Sequence, residues 1–247
     1  MSTRKGIVGI CGLSIFLSMP GVGMAMEKKQ SVETESKDVG KDAERALAAA
    51  NVLLEITKTP EKGIPKELLD HADAIAVMPN VTKAAFGVGG RHGKGVVAQR
   101  RADGTWGPPA FIEITGGSLG PQIGVSVTDL ILVFTNDDGL KGLFQDKLEL
   151  GGDAGVAAGP VGRTAEAGTN LTFDSPIYSY SRSKGLFAGL ALKGSVMSID
   201  DSANRRLYGN VPAKDIVLKG SEKPAPEVKP FVDALNQVAP KGSHKRG

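Results

Sequence analysis

Apolar residues in this chain first recur at helical spacing, then gather into short strand-like blocks, and return to helical spacing near the end. From Lys41 to Lys58, Ala43, Ala46, Leu47, Ala50, Leu53, Leu54 and Thr57 fall on one side of a helix, with Lys41, Glu44, Arg45, Glu55 and Lys58 elsewhere. Thr59-Pro60 ends it, because proline disfavours helical geometry in the residue before it. A second short helix is predicted over Pro65 to His71, with proline at its first turn. Blocks of β type follow at Ala74–Met78, Ala84–Gly89, Gly95–Arg101, Ala110–Thr115, Gln122–Val127 and Asp129–Thr135. Asp103-Gly104 marks a hairpin, since glycine supplies the positive φ such turns require. Asn136 to Gly139 opens a helical turn through Asp146, capped by an aspartate. Further strands are predicted at Lys147–Gly152, Gly155–Ala158, Gly168–Phe173, Ile177–Ser181 and Leu186–Ile199. Near the end, Val228, Phe231, Val232, Leu235 and Val238 form one stripe on a helix from Glu227 to Gln237.

Few helical stretches separate the strands, which argues against a doubly wound parallel sheet. The pattern predicts an α+β fold in a single domain. Its sheet is curved and mainly antiparallel, or a barrel, of many short glycine-rich strands, with an N-terminal and a C-terminal helix packed on it. The 33 glycines, 14 prolines and 5% aromatic residues suit short strands joined by tight turns. Gly151, Gly152, Gly155, Gly159 and Gly162 weaken strand propensity, so curvature or the close approach of another backbone must need them.

Arg4 and Lys5 precede an uncharged run from Gly6 to Ala25 whose apolar centre is Ile7–Leu17, followed by Pro20 and Gly23-Met24-Ala25. This reads as a signal peptide cleaved near Ala25, leaving an exported chain, periplasmic or extracellular. The implied organisation is a signal peptide (1–25), a flexible polar spacer (26–40), one domain (41–240) and a basic disordered tail (241–247). Cys11 is the only cysteine, so the mature chain would have neither a disulfide nor a thiolate nucleophile. Loss of Arg4 and Lys5 would leave 28 basic residues against 27 acidic ones. A balance so close to neutral gives no general attraction to polyanions, and nucleic acid is not expected as a partner.

Catalytic patterns fail on context. Gly116-Gly117-Ser118-Leu119-Gly120 has the spacing of a hydrolase nucleophile elbow, but the residues after it read as a strand rather than a helix. Gly93-Lys94 lacks both the first glycine and the Ser/Thr of a phosphate-binding loop. His71, His92 and His244 have no second ligand at metal spacing, so no metal and no cofactor is expected.

Several ordered segments carry a resemblance: Lys83-Ala84-Ala85-Phe86, Gly95 to Ala98, Asp103 to Pro109, Ile123-Gly124 with Val127 to Leu130, Gly151-Gly152, Gly159 to Arg163 and Ser181 to Gly194. Together they resemble the SYLF family, from roughly Ala43 to Leu235. The resemblance implies a non-enzymatic lipid-binding domain for anionic phospholipid or phosphoinositide-type head groups. In eukaryotic members it implies actin binding too, which an exported chain would not normally meet. The implied head-group contacts are Lys41, Arg45 and Lys58 on the first helix, Lys83, Arg91 and Lys94, then Arg163, Arg182 and Lys184. Each cation near an anionic bilayer contributes about 1 kcal/mol. The alternative is a periplasmic structural or envelope-stress protein whose partner is another envelope protein.

Overall fold

The runs Ala74–Met78, Val96–Ala98 and Leu130–Phe134 are apolar at every position, and a strand of that kind needs cover on both faces. The computed structural model describes residues 20–58, 63–145, 147–161, 174–183, 186–220 and 222–240, and provides that cover. Two units divide the chain, one ending at Lys37 and the other running from Asp38 to Gly247; the second holds the sheet.

Helix α1 (Pro20–Lys58) is followed by α2 (Lys66–Asp70), β1 (Ala74–Gln99), β2 (Ala110–Phe134) and α3 (Asp137–Leu143). Then come β3 (Leu148–Leu150), β4 (Val156–Ala158), β5 (Ile177–Ser183), β6 (Leu186–Gly189), β7 (Ser195–Ile199), α4 (Asp201–Tyr208) and α5 (Lys229–Val238). The seven strands form one sheet of order β3-β7-β2-β5-β4, with β1 on β2 and β6 on β5. Every pairing is antiparallel except β4 with β5. The fold is α+β, with the curved, mainly antiparallel sheet that the pattern predicts.

One layer of core lies between the sheet and the helices: Ala46, Ala49, Ala50, Leu53 and Ile56 of α1 pack with Ile75, Val77, Phe111, Ile131, Val133 and α5's Phe231 and Leu235. The opposite layer joins Met78, Ile112, Ile114, Leu132 and Phe134 to Leu140 and Leu143 of α3 and to Ile216 and Val217 of a π-helical turn, Asp215–Lys219.

Three local expectations change. Residues 26–40, expected as a flexible spacer, lie within α1. Methionine, glutamate, lysine and glutamine there all favour the helix, and no proline interrupts it. The six short blocks between 74 and 135 are two long strands, because bulges between Met78 and Val81 and between Phe86 and Val88 bend β1 without ending it. At the first bulge Asn80 takes φ 54°, and its N–H donates to Asp129 Oδ1 at 3.0 Å. The segment predicted as a strand at Leu186–Ile199 is two strands, β6 and β7. The expected strand at 168–173 and basic tail at 241–247 lie outside the described residues, as does most of the expected signal peptide.

Bending folds the β1–β2 ribbon back on itself. An added Cβ on Gly95 would stand 2.1 Å from the Val77 carbonyl oxygen, and one on Gly93 would stand 2.6 Å from Val81 Cγ2. The two limbs of β1 therefore lie against each other, and residues 82–92 with their partners in β2 form an arch between them. Gly159 serves a second close approach, since a Cβ there would fall 2.0 Å from the Tyr180 ring.

Candidate functional site

The arch shows a strict alternation along β1. Thr82, Ala84, Phe86, Val88, Gly90 and His92 are exposed, whereas Lys83, Ala85, Gly89 and Arg91 turn inward and are buried or half-buried. On β2, Val125 pairs with Ala84 and Val127 with Thr82, which places both on the outward face. Phe86 is 81% exposed, Val88 70%, Val125 73% and Val127 52%. Register sets Ile123 opposite Phe86 and Leu119 opposite Val88. Around Phe86, Val88, Val125 and Val127 the outward side of the arch is thus apolar and exposed.

The nine expected head-group residues divide by position. Lys83 and Arg91 belong to the arch, on its inner side; Arg91 donates to Ser195 Oγ at 3.0 Å, and burial lowers its pKa. Lys94 leaves the arch and meets Asp200 Oδ2 at 2.9 Å. Arg45 reaches the same oxygen at 3.0 Å, reaches Asp42 at 3.1 Å, and lies 5.1 Å over the Phe111 ring. Arg182 donates from Nε and Nη2 to Asp129 Oδ2, at 2.8 and 2.7 Å. Arg45, Lys94 and Arg182 therefore sit in ion pairs that join elements. Lys41 is exposed and pairs with Asp38 at 2.8 Å, which lowers the Asp38 pKa. The Lys58 side chain, Arg163 and Lys184 lie outside the described residues.

The sequence reading did not connect these cations with the acids that hold them. Asp42 is buried in α1 and accepts Arg206 Nε and Nη2 at 2.7 Å each. Asp200 caps α4 through the Ala203 N–H, at 3.2 Å, and also accepts Ser202 Oγ at 2.8 Å. Burial alone would raise the Asp200 pKa, yet hydrogen bonds from Lys94, Ser202, Ala203 and Arg45 hold it well below the usual carboxylate range. Asp42 lies three residues before Arg45 on a helix and was within reach of a spacing argument. Asp200 reads from sequence as a helix-start residue, which its cap on α4 bears out, but it is 155 residues from Arg45 and no local spacing links the two.

A second polar centre fixes the C-terminal helix. Arg100, fully buried, donates to the carbonyls of Ala72, Leu69 and Pro240 at 3.0, 3.0 and 2.9 Å, and its guanidinium lies 4.6 Å over the Trp106 ring. Trp106 Nε1 donates to Ala239 O at 2.9 Å. Burial lowers the Arg100 pKa, and Asp70 and Asp73 oppose that shift.

Hydrolase geometry does not arise around Ser118, because β2 runs without interruption from Ala110 to Phe134 and no strand-to-helix turn follows the serine. His92 stands opposite Thr115 in the same ribbon. Among the described residues no cluster of His, Cys, Asp or Glu has metal-binding geometry, and no helix is long and apolar enough to cross a membrane.

Comparison with known proteins matches residues 115–238, half of the chain, to the family described as Ysc84: Las17-binding protein actin regulator. LAS seventeen-binding protein 3 of Saccharomyces cerevisiae is 35% identical over 179 residues, covering 71% of this chain and 39% of the yeast protein. SH3 domain-containing YSC84-like protein 1 of Rattus norvegicus is 34% identical over 203 residues, covering 79% of this chain and 59% of the rat protein. The human protein of the same name is 35% identical over 187 residues, covering 73% and 54%. The chain spans about half the length of these curated relatives. On the family match and this shared identity, the chain belongs to the Ysc84 (SYLF) family.

Proposed function

We propose that this domain is a non-catalytic module that binds anionic phospholipid surfaces. One observation carries the reading: residues 81–93 and 115–128, the strand segments of the arch, contain Lys83, Arg91 and His92 and no aspartate or glutamate. In a chain with 30 basic and 27 acidic residues, an acid-free ribbon of this length is a local cationic field. Near an anionic bilayer each of its cations contributes about 1 kcal/mol, so attachment is weak and salt-sensitive. The ion-paired Arg45, Lys94 and Arg182 contribute to folding on this reading, and the lipid contact falls to the arch. The apolar side of α1 from Ala46 to Ile56 is spent on the core, so that stretch offers little to a membrane in this conformation.

The test is flotation of the full chain with phosphatidylglycerol-containing and with pure phosphatidylcholine vesicles, at low and high salt. Binding to the anionic vesicles that weakens with salt is expected; no binding to either would overturn the reading.

A protein partner is the second reading, favoured by the family description and by the yeast relative's name, which state Las17 binding of those proteins. Co-purification of one defined partner without lipid dependence would favour it, and cosedimentation with filamentous actin tests the actin-regulator description directly. Export rests on the signal-peptide pattern before Ala25. Mass spectrometry of the mature protein should find a new N-terminus near residue 26, and an intact N-terminus would refute cleavage.

A further inference from the structure

We infer that the arch is the element that enters the bilayer, and that it does so apolar face first. The inference rests on the lipid-surface reading and adds to it the contacting residues and the mode of contact. Four apolar side chains, Phe86, Val88, Val125 and Val127, lie exposed on one outward face of a two-stranded ribbon. An apolar surface of this kind on a folded chain marks an interaction site. Its neighbours on that face are Thr82, Ala84, Gly90 and His92, none of them acidic.

Charge selects the occupant. Lys83 and Arg91 sit one side-chain layer behind the apolar face, on the inner side of the same strand. Insertion of Phe86 and the valines would bring those cations to the depth of the head-group phosphates, a distance that a lysine or arginine stem can span. A second copy of the arch would instead oppose cation to cation with no carboxylate between them. The arch is also anchored at both ends: the first limb is held through Asn80 and Asp129 at 3.0 Å, the return limb through Lys94 and Asp200 at 2.9 Å. Its apolar face is thus presented preformed, without unfolding of the core.

The experiment uses the full chain. Cys11 is the single cysteine, so a Cys11→Ser background with Phe86→Cys accepts one environment-sensitive fluorophore at the arch, and Leu47→Cys accepts one on the exposed side of α1. With vesicles of equal phosphatidylglycerol and phosphatidylcholine, a blue shift at position 86 and none at position 47 is expected. The double variant Phe86→Ser/Val125→Ser, at exposed positions, should melt like the wild type and bind these vesicles about tenfold or more weakly. Wild-type flotation with no shift at 86 and undiminished binding of the double variant overturns the inference and leaves the lipid reading standing. A shift at 47 in place of 86 assigns the contact to the helix and also overturns it. If light scattering shows a wild-type dimer that the double variant dissolves, without lipid dependence, the face belongs to a second copy and the inference fails. Absence of wild-type flotation removes both readings together.

Discussion

Lys94 Nζ lies 2.9 Å from Asp200 Oδ2, and this pair fastens the return limb of the ribbon to the first turn of α4. Asp200 also receives Arg45 from α1, at 3.0 Å, so one carboxylate joins three elements. Replacing it with alanine takes a shared carboxylate from Lys94 and from Arg45, which keeps Asp42, and removes the cap of α4; the expected cost is about 3 kcal/mol, by the general cost of breaking a buried ion pair. Urea unfolding measures this. A loss below about 1 kcal/mol would mean that the pairs are solvated contacts.

The same carboxylate sets a pH dependence. Its folded pKa is depressed, so on acidification the unfolded chain takes up a proton first. The stability it supplies is complete above the unfolded value, about 4, and is lost as pH falls further towards the folded value. Melting temperature should therefore drop below about pH 4, and Asp200→Asn should flatten that part of the curve. A variant with an unchanged acid limb would assign the effect to other carboxylates.

Gly95→Ala tests the fold-back of the ribbon. The new methyl would meet the Val77 carbonyl oxygen at 2.1 Å and the Met78 Cα at 2.7 Å, both backbone atoms that cannot rotate away. A loss of about 3 kcal/mol or more is expected from forced overpacking. Gly90→Ala, with nothing within 4 Å of the added carbon, is the control and should be close to neutral. Equal stability of the two variants would contradict the contact between the limbs.

The C-terminal clamp makes a separate prediction. Arg100→Leu leaves the Ala72, Leu69 and Pro240 carbonyls without this donor and removes the stacking on Trp106. The expected loss is about 3 kcal/mol, with faster amide exchange concentrated in α5. Trp106→Phe removes one bond, to Ala239 O, and should cost about 1 kcal/mol.

Where a periodic signal was strong, most of its positions are buried as their spacing implied, Ala46, Ala50 and Leu53 on α1 and Phe231, Leu235 and Val238 on α5, while Leu47 of the same α1 stripe is exposed. The Asp103-Gly104 turn was equally clear, with Gly104 at φ 83° and Arg101 N–H bonded to Thr105 O at 2.7 Å. Continuity of the long strands was not legible, because glycine reads as a break whether a strand stops or merely bends. The cations misled for a different reason. Lys94 and Arg182 look free in one dimension, since their acids, Asp200 and Asp129, are 106 and 53 residues away and become neighbours only through sheet pairing. Exposed Phe86 and Val125 went unremarked because a half-buried strand and an unpartnered one have the same alternation.

The order in which this ribbon can assemble follows from its register. The Asp103-Gly104 turn closes Val97 onto Ala110 through a short loop, whereas direct closure of Ala74 onto Phe134 spans about sixty residues and costs more chain entropy. Zippering from the turn must therefore travel round the bend before the far limb finds its mate, making the exposed ribbon an early product of folding rather than a late ornament. Pulse-labelled amides of residues 96 and 97 should gain protection ahead of those of 75–78; the reverse order would place nucleation at the other end.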